Sequence, residues 1–306
     1  MTPSDILAEL ELPYDGLPEA ALLEAMEQPG AVIPGLLTIL GEAAADPMAY
    51  LDATGSNAHL YALYLLAQFR EPRALEPLLS MLRLPADQQD ALLGDLLTEG
   101  VPSLLASLCI GTPAVLEATA ADPALDPYVR GAAMDALLVL SFQGHLPEDK
   151  LLRAFDVLLA TFEARGPAED PTAWAFLIIA LETAGFAAFL PRLREALRRG
   201  RVDRELVDPD ELEDAITRYN AHERRRFLLT HHLVEDALLS LEELHWPGDA
   251  EDLDEDPIPD LPTFAPEAVH AIIARQPYPK PAGTPAQNAD CPCGSGKKYK
   301  RCCGKP

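Results

Sequence analysis

Between Met1 and Trp246, leucine and alanine recur every three or four positions, separated by short polar or Gly/Pro breaks. Leu63, Leu66 and Ala67 form one stripe, and Leu75, Leu78, Leu79 and Leu82 a second. Ala136, Leu137 and Leu140 are followed by Leu151, Leu152, Phe155, Leu158 and Leu159. Trp174, Leu177, Ile178 and Leu181 are followed by Phe189, Leu190, Leu193 and Leu197. This spacing marks helices that each bury one face. The short breaks join such helices as antiparallel hairpins. Asp-Pro recurs at 46–47, 122–123, 126–127, 170–171 and 208–209. An Asp side chain accepts from the free N–H groups of a first turn, and proline suits the first helical position, so these pairs predict mostly helix starts. The pattern defines an all-α domain over residues 1–246.

The hairpins are loosely alike. Ala62, Ala91, Ala136 and Ala175, taken as anchors, give spacings of 29, 45 and 39 residues. These lie near the period of about 40–47 residues in HEAT and armadillo arrays. The run Asp126-Pro-Tyr-Val-Arg130-Gly-Ala-Ala resembles the second helix of a HEAT repeat, in which the Asp caps and the Arg lies across the stack. The resemblance covers about residues 30–200 and implies an α-solenoid of HEAT-like helical hairpins. A non-repetitive helical bundle is the alternative.

Composition changes after Trp246. Six of the eight residues from Asp249 to Asp256 are acidic, and nine prolines fall between Pro247 and Pro285. Such a segment cannot bury a core, so residues 247–290 are expected to be a disordered linker. Val269, Ile272 and Ile273 predict one short amphipathic helix within it, near 266–275. Net charge is −25; residues 276–306 carry +5, which leaves −30 on the rest. An acidic body repels nucleic acid and anionic membrane, while a basic tail attracts acidic partners. No apolar run reaches the roughly 18 residues of a membrane span, so no membrane insertion is expected.

Four of the five cysteines fall within thirteen residues, Cys291, Cys293, Cys302 and Cys303. Adjacent Cys302 and Cys303 hardly meet the geometry of a mutual disulfide. The acidic Met1–Gly16 stretch has no basic or apolar region of a secretory signal, which predicts a cytoplasmic chain, where disulfides are rare. Iron–sulfur clusters also take four thiolates, usually at wider spacing. Four thiolates at this spacing therefore predict one structural zinc ion, whose binding would fold residues 291–304 as a knuckle. Gly294-Ser295-Gly296 lets the backbone turn after the first ligand pair. Lys297, Lys298, Lys300 and Arg301, with Tyr299 among them, form a cationic surface.

Residues 291–304 resemble the SEC-C zinc motif, best known from the C-terminal tail of the translocase ATPase SecA. The resemblance implies Cys291, Cys293, Cys302 and Cys303 as ligands. It implies Lys297, Lys298, Tyr299 and Lys300 as partner contacts, with a SecB-like chaperone or the ribosome as the protein partner; Arg301 extends the same basic surface. Gln287-Asn288 and Asp290 stand where that family often carries Arg-Asn and Pro. The whole layout resembles uncharacterised bacterial proteins with a helical body and a SEC-C tail.

No catalytic residues are nominated. His222, Glu223, His231, His232 and Glu235 cluster, and His232 and Glu235 would share a helix face at i, i+3, a spacing that can hold a metal. They are read instead as a polar helix surface with Phe227, Leu228 and Leu238 on its interior face. Cys109, inside the apolar run Leu104–Ile110, is read as a buried small hydrophobe. Arg224-Arg225-Arg226 is read as pairing with neighbouring carboxylates. The expectation is a non-enzymatic, zinc-binding protein–protein adaptor. A nucleic-acid binder using the basic knuckle, or an enzyme sited in the helical body, are the alternatives.

Overall fold

Aspartate caps and prolines start many of the helices in the computed structural model, which describes residues 1–13, 16–212, 216 and 221–244. Asp46, Asp126 and Asp170 each accept from the first-turn N–H groups of a helix whose first residue is proline. Three of the five Asp-Pro pairs thus mark helix starts. Asp122-Pro123 does not: it follows a helix end, and Asp122 accepts from the Ala124 N–H in a turn. Asp208 accepts from the Asp210 N–H just ahead of helical Leu212. An Asp can satisfy the donors of a local turn as readily as those of a first helical turn.

Sixteen α-helices and no strand occur among the described residues. They are α1 (Pro3–Leu10), α2 (Glu19–Glu27), α3 (Pro29–Ala45), α4 (Pro47–Thr54), α5 (Ala58–Gln68), α6 (Leu75–Met81), α7 (Ala86–Leu93) and α8 (Leu96–Glu99). There follow α9 (Val101–Leu108), α10 (Pro113–Ala121), α11 (Pro127–Phe142), α12 (Glu148–Arg165), α13 (Pro171–Ala184), α14 (Leu190–Arg198), α15 (Ala221–Thr230) and α16 (Ala237–Glu243). The chain is all-α, as its periodicity indicates. Helices α3, α5, α9, α11 and α13 pack each on the next. Helix α10 lies against α11, and α12 against both. After α14 the chain turns back. Helix α15 packs on α13 and α11, and α16 on α5 and α2. Ala91 is exposed on α7, so it is not an anchor of this row; α9 stands between α5 and α11 instead.

Two compact units divide the chain, Met1–Asp249 and Ala250–Pro306. The linker 247–290, the short helix expected near 266–275 and the knuckle 291–304 lie outside the described residues. Among the described residues no single helix is long and apolar enough to cross a membrane.

One ion pair is buried in the core. Arg130, 1% exposed, donates through Nε to the Ala120 carbonyl at 3.0 Å and through Nη1 to Glu169 at 2.7 Å. Its guanidinium sits 4.7 Å above the Phe162 ring centroid. Glu169 also accepts from Arg165 at 2.8 Å and from the Asp170 N–H at 3.1 Å. Arg165 in turn donates to the Ala121 carbonyl at 2.6 Å. Burial pushes the Glu169 carboxyl up, but the hydrogen bonds from Arg130 and Arg165 outweigh it and hold the group below its ordinary value. The network joins the end of α10, the first turn of α11, the end of α12 and the start of α13.

His59 is a second buried polar group, 1% exposed on α5. Its Nε2 lies 2.6 Å from the Leu92 carbonyl and so must carry the proton. Its ring packs edge-on against Tyr50, 5.4 Å between centroids. Burial pushes the imidazole down to about 4, against the opposing effect of the Leu92 carbonyl.

Replacing one partner of a buried pair strands the other charge. Arg130→Met is expected to lower the unfolding free energy by about 3–5 kcal/mol, read from urea midpoints. Arg130→Lys restores little, because lysine cannot serve both acceptors in a fixed plane; a loss below about 1 kcal/mol for Arg130→Met would contradict this role. For His59 the folded value lies below the unfolded value of about 6.5. As pH falls from about 6.5 to about 4, only the unfolded chain takes the proton, so stability is lost across that window, by about 3 kcal/mol in all, and no further below it. In His59→Gln this contribution disappears, and the difference between the two stability–pH curves measures it.

Candidate functional site

Four helices end in the same motif, and one of them breaks its rule. In a Schellman ending the residue after the cap is left-handed, and its N–H and the next one bond back into the helix. Gly144, Gly185 and Gly200 take this position after α11, α13 and α14, with φ of 83°, 69° and 65°. After α5 the position is Arg70, with φ of 55°. Arg70 N–H bonds to Ala67 and Glu71 N–H to Leu66, as the motif requires. Among the described residues Arg70 is the one non-glycine with positive φ. A side chain there costs about 1–2 kcal/mol. Its guanidinium donates to the Ala67 carbonyl at 2.8 Å and to Glu235 at 2.8 Å, 165 residues away.

Glu235 belongs to an extended strap. Residues 231–236 are not helical, which corrects the expectation that His232 and Glu235 share a helix face. The strap's N–H groups instead bond to side chains of the body. His232 donates to Ser103 Oγ at 3.2 Å and Val234 to Ser107 Oγ at 2.9 Å, both on α9. Leu233 donates to Gln143 Oε1 at 2.8 Å, at the end of α11. Ala237, at the start of α16, donates to Gln68 Oε1 at 2.8 Å, at the end of α5. Leu233, Val234 and Ala237 are all 0% exposed. The strap therefore lies on α9 and the end of α11 and then reaches the end of α5. Sequence periodicity hid it because its anchors are scattered: two serines in an apolar helix and two glutamines at helix ends.

The remaining candidates find separate partners. His232 Nε2 lies 3.4 Å from Glu243, while Glu235 holds Arg70. His231 stacks on Phe227 at 4.7 Å, and partial burial holds its imidazole below the usual histidine value. Among the described residues no group of three His, Cys, Asp or Glu side chains is placed to hold a metal. Arg224 does not pair with a carboxylate among the described residues; it lies 4.6 Å over the Phe142 ring and donates to the Phe142 carbonyl. Arg225 and Arg226 are exposed. Cys109 is fully buried, and burial pushes its thiol up to about 12, which leaves it protonated and inert. Asp135 on α11 and Glu182 on α13 are each raised to about 7, Asp135 by burial and Glu182 by burial and then Glu211. No hydrogen bond among the described residues links either to a nucleophile. A hollow of about 270 Å³ beside Arg224 is lined by Phe142, Leu146, Leu151 and Phe186.

Cys291, Cys293, Cys302 and Cys303 lie outside the described residues, as do Lys297, Lys298, Tyr299, Lys300 and Arg301. The fit to a metal rests on donor chemistry: four thiolates form a complete set for structural zinc without an oxygen ligand.

Body and tail thus define an all-helical domain carrying a separate cysteine-rich motif. Residues 1–248 match the family of proteins of unknown function designated DUF1186, and the chain belongs to that family. Residues 288–305 match the SEC-C motif, usually associated with zinc binding. A relative from Chlamydia trachomatis serovar D, described as an uncharacterized protein, is 31% identical over 218 residues, 70% of this chain and 83% of its own. Another from Chlamydia muridarum, with the same description, is also 31% identical and is covered to 84%. The protein translocase subunit SecA of Dehalococcoides mccartyi strain 195 is 51% identical over 49 residues, 16% of this chain but 5% of SecA. No solved structure matches the chain.

The Schellman endings make a paired prediction. Gly144→Ala should cost about 1–2 kcal/mol, because alanine enters the left-handed region at that penalty. Arg70→Gly relieves the same strain but loses a partly exposed ion pair worth about 0.2–1 kcal/mol and a hydrogen bond to the Ala67 carbonyl worth about 0.5–1.5 kcal/mol, so its unfolding midpoint should lie close to that of the wild type. A large loss in Arg70→Gly would show that its side chain holds more than the strap.

Proposed function

We propose that the chain is a non-enzymatic, zinc-binding protein–protein adaptor. The observation that carries this reading is a SEC-C match at residues 288–305 joined to a helical body of a different family. The SecA likeness falls on a short stretch of that large protein, so it supports a shared contact module rather than a shared ATPase. Cys291, Cys293, Cys302 and Cys303 would hold one zinc ion and fold the motif around it. Lys297, Lys298, Lys300 and Arg301 would steer an acidic surface, and Tyr299 would anchor it. A SecB-like chaperone or the ribosome fits that chemistry, and a reducing cytoplasm fits the thiolates. The stacking of α5, α9, α11 and α13, the Asp126 cap and the buried Arg130 support a HEAT-like solenoid, a scaffold suited to extended binding surfaces.

Metal analysis of the purified chain should give one zinc per chain, removed by a strong chelator. The double variant Lys297→Glu, Lys300→Glu should keep that zinc but lose partner capture by about tenfold or more. Unchanged capture would remove those residues from the contact. Capture abolished by nuclease would assign the basic knuckle to nucleic acid instead.

A further inference from the structure

The strap is seated as a bound peptide would be. Inside a row of helices the backbone donors and acceptors are used by the helices themselves, so a crossing chain must be held by side chains. Four side-chain oxygens on three elements do this: Gln68, Ser103, Ser107 and Gln143. The serines are the notable choice. All eight residues of α9 are buried, and the rest of that helix is apolar. Ser107 donates its hydroxyl proton to the Ser103 carbonyl at 2.7 Å, which leaves its lone pair for the Val234 N–H. These residues bind backbone rather than side chains. Between the hydrogen bonds, Leu233 and Val234 fill apolar sockets, and Arg70 faces Glu235 from a strained position where the other helices carry glycine.

We propose that this groove across α5, α9 and α11 is a docking site for an extended peptide with two adjacent apolar residues followed by an acidic one, and that residues 231–237 occupy it in cis. The proposal deepens the adaptor reading and rests on it: it assigns the body a peptide ligand, while the tail makes its own contact. Recognition through backbone N–H groups tolerates varied sequence, so the sockets and Arg70 supply the selectivity. A partner segment must displace the strap, and the strap therefore sets the threshold for binding.

Native-state hydrogen exchange on the full chain tests displacement directly. The amides of His232, Leu233, Val234 and Ala237 should exchange at least about 100-fold faster than those of Ala136–Val139 in mid-α11, through an opening that leaves the body folded. Exchange of both sets at one common rate would make the strap an integral part of the core and overturn the proposal. Binding is then measured with a labelled peptide of residues 231–240. The variant Val234→Asp, which ejects the strap, should keep its far-ultraviolet helical signal and bind the peptide at least about tenfold more tightly than wild type. Should Val234→Asp fail to fold, Glu235→Arg provides the second route: it changes an exposed side chain and sets like charges against Arg70. It should gain peptide binding, and adding Arg70→Glu should close the groove again. A peptide with Asp-Asp in place of Leu-Val should not bind to either opened form. No gain in either variant overturns the groove as a peptide site. Capture through Lys297 and Lys300 would be untouched by that result, so the two readings fail separately.

Discussion

The helical row is keyed by a buried ion pair, Arg130 with Glu169. Leucine and alanine faces drive helices together but have little directionality, and many registers bury similar area. The guanidinium removes that freedom. It needs the α10 carbonyl at Ala120, the carboxylate ahead of α13 and the Phe162 face of α12 at once. Arg165 repeats the logic from α12, reaching the next carbonyl, at Ala121, and the same carboxylate. Desolvating these charges is expensive, so the arrangement is stable only when all partners are present together. What it contributes is a unique alignment of α10, α11, α12 and α13, and the strap rests on that alignment where Gln143 ends α11.

The helical class was legible because burial in a row of helices writes a period of 3.6 into the chain. The buried stripes at Leu63–Ala67, Ala136–Leu140 and Trp174–Leu181 all lie on helices. The local signals carried less. Asp-Pro marks a helix start at Asp46, Asp126 and Asp170 but a turn at Asp122, because the same carboxylate satisfies either. Ala91 looked like a repeat anchor yet is exposed on α7, since a lone alanine is compatible with both a close packing position and a surface. Arg130 was legible as a residue lying across the stack; its partner Glu169 was not, being 39 residues away with no pattern to tie them.

The candidate site divides in the same way. The cysteine cluster announces itself because ligand spacing is local. The strap does not, because its anchors Gln68, Ser103, Ser107 and Gln143 come from three elements and acquire meaning only when brought together. In the structure, the left-handed backbone at Arg70 points to it. Gly144, Gly185 and Gly200 close their helices as the Schellman motif prefers, and an arginine in the equivalent place after α5 departs from that pattern. Local rules break where a distant contact repays the strain.

The strap also fixes an order of events during synthesis. Its hydrogen bonds span 90 to 169 residues, so none can form until the body's helices already exist. Domains fold as they emerge, at about 5–20 residues per second, and the interval from Gln143 to Ala237 then lasts roughly 5–20 s. Throughout it, Ser103, Ser107 and Arg70 lack the strap groups they bind in the finished fold. Every copy thus passes through a stage in which the proposed groove has no strap, which ends once residues 231–237 have been made. Anything that binds extended apolar–acidic segments at that stage has no competitor in cis.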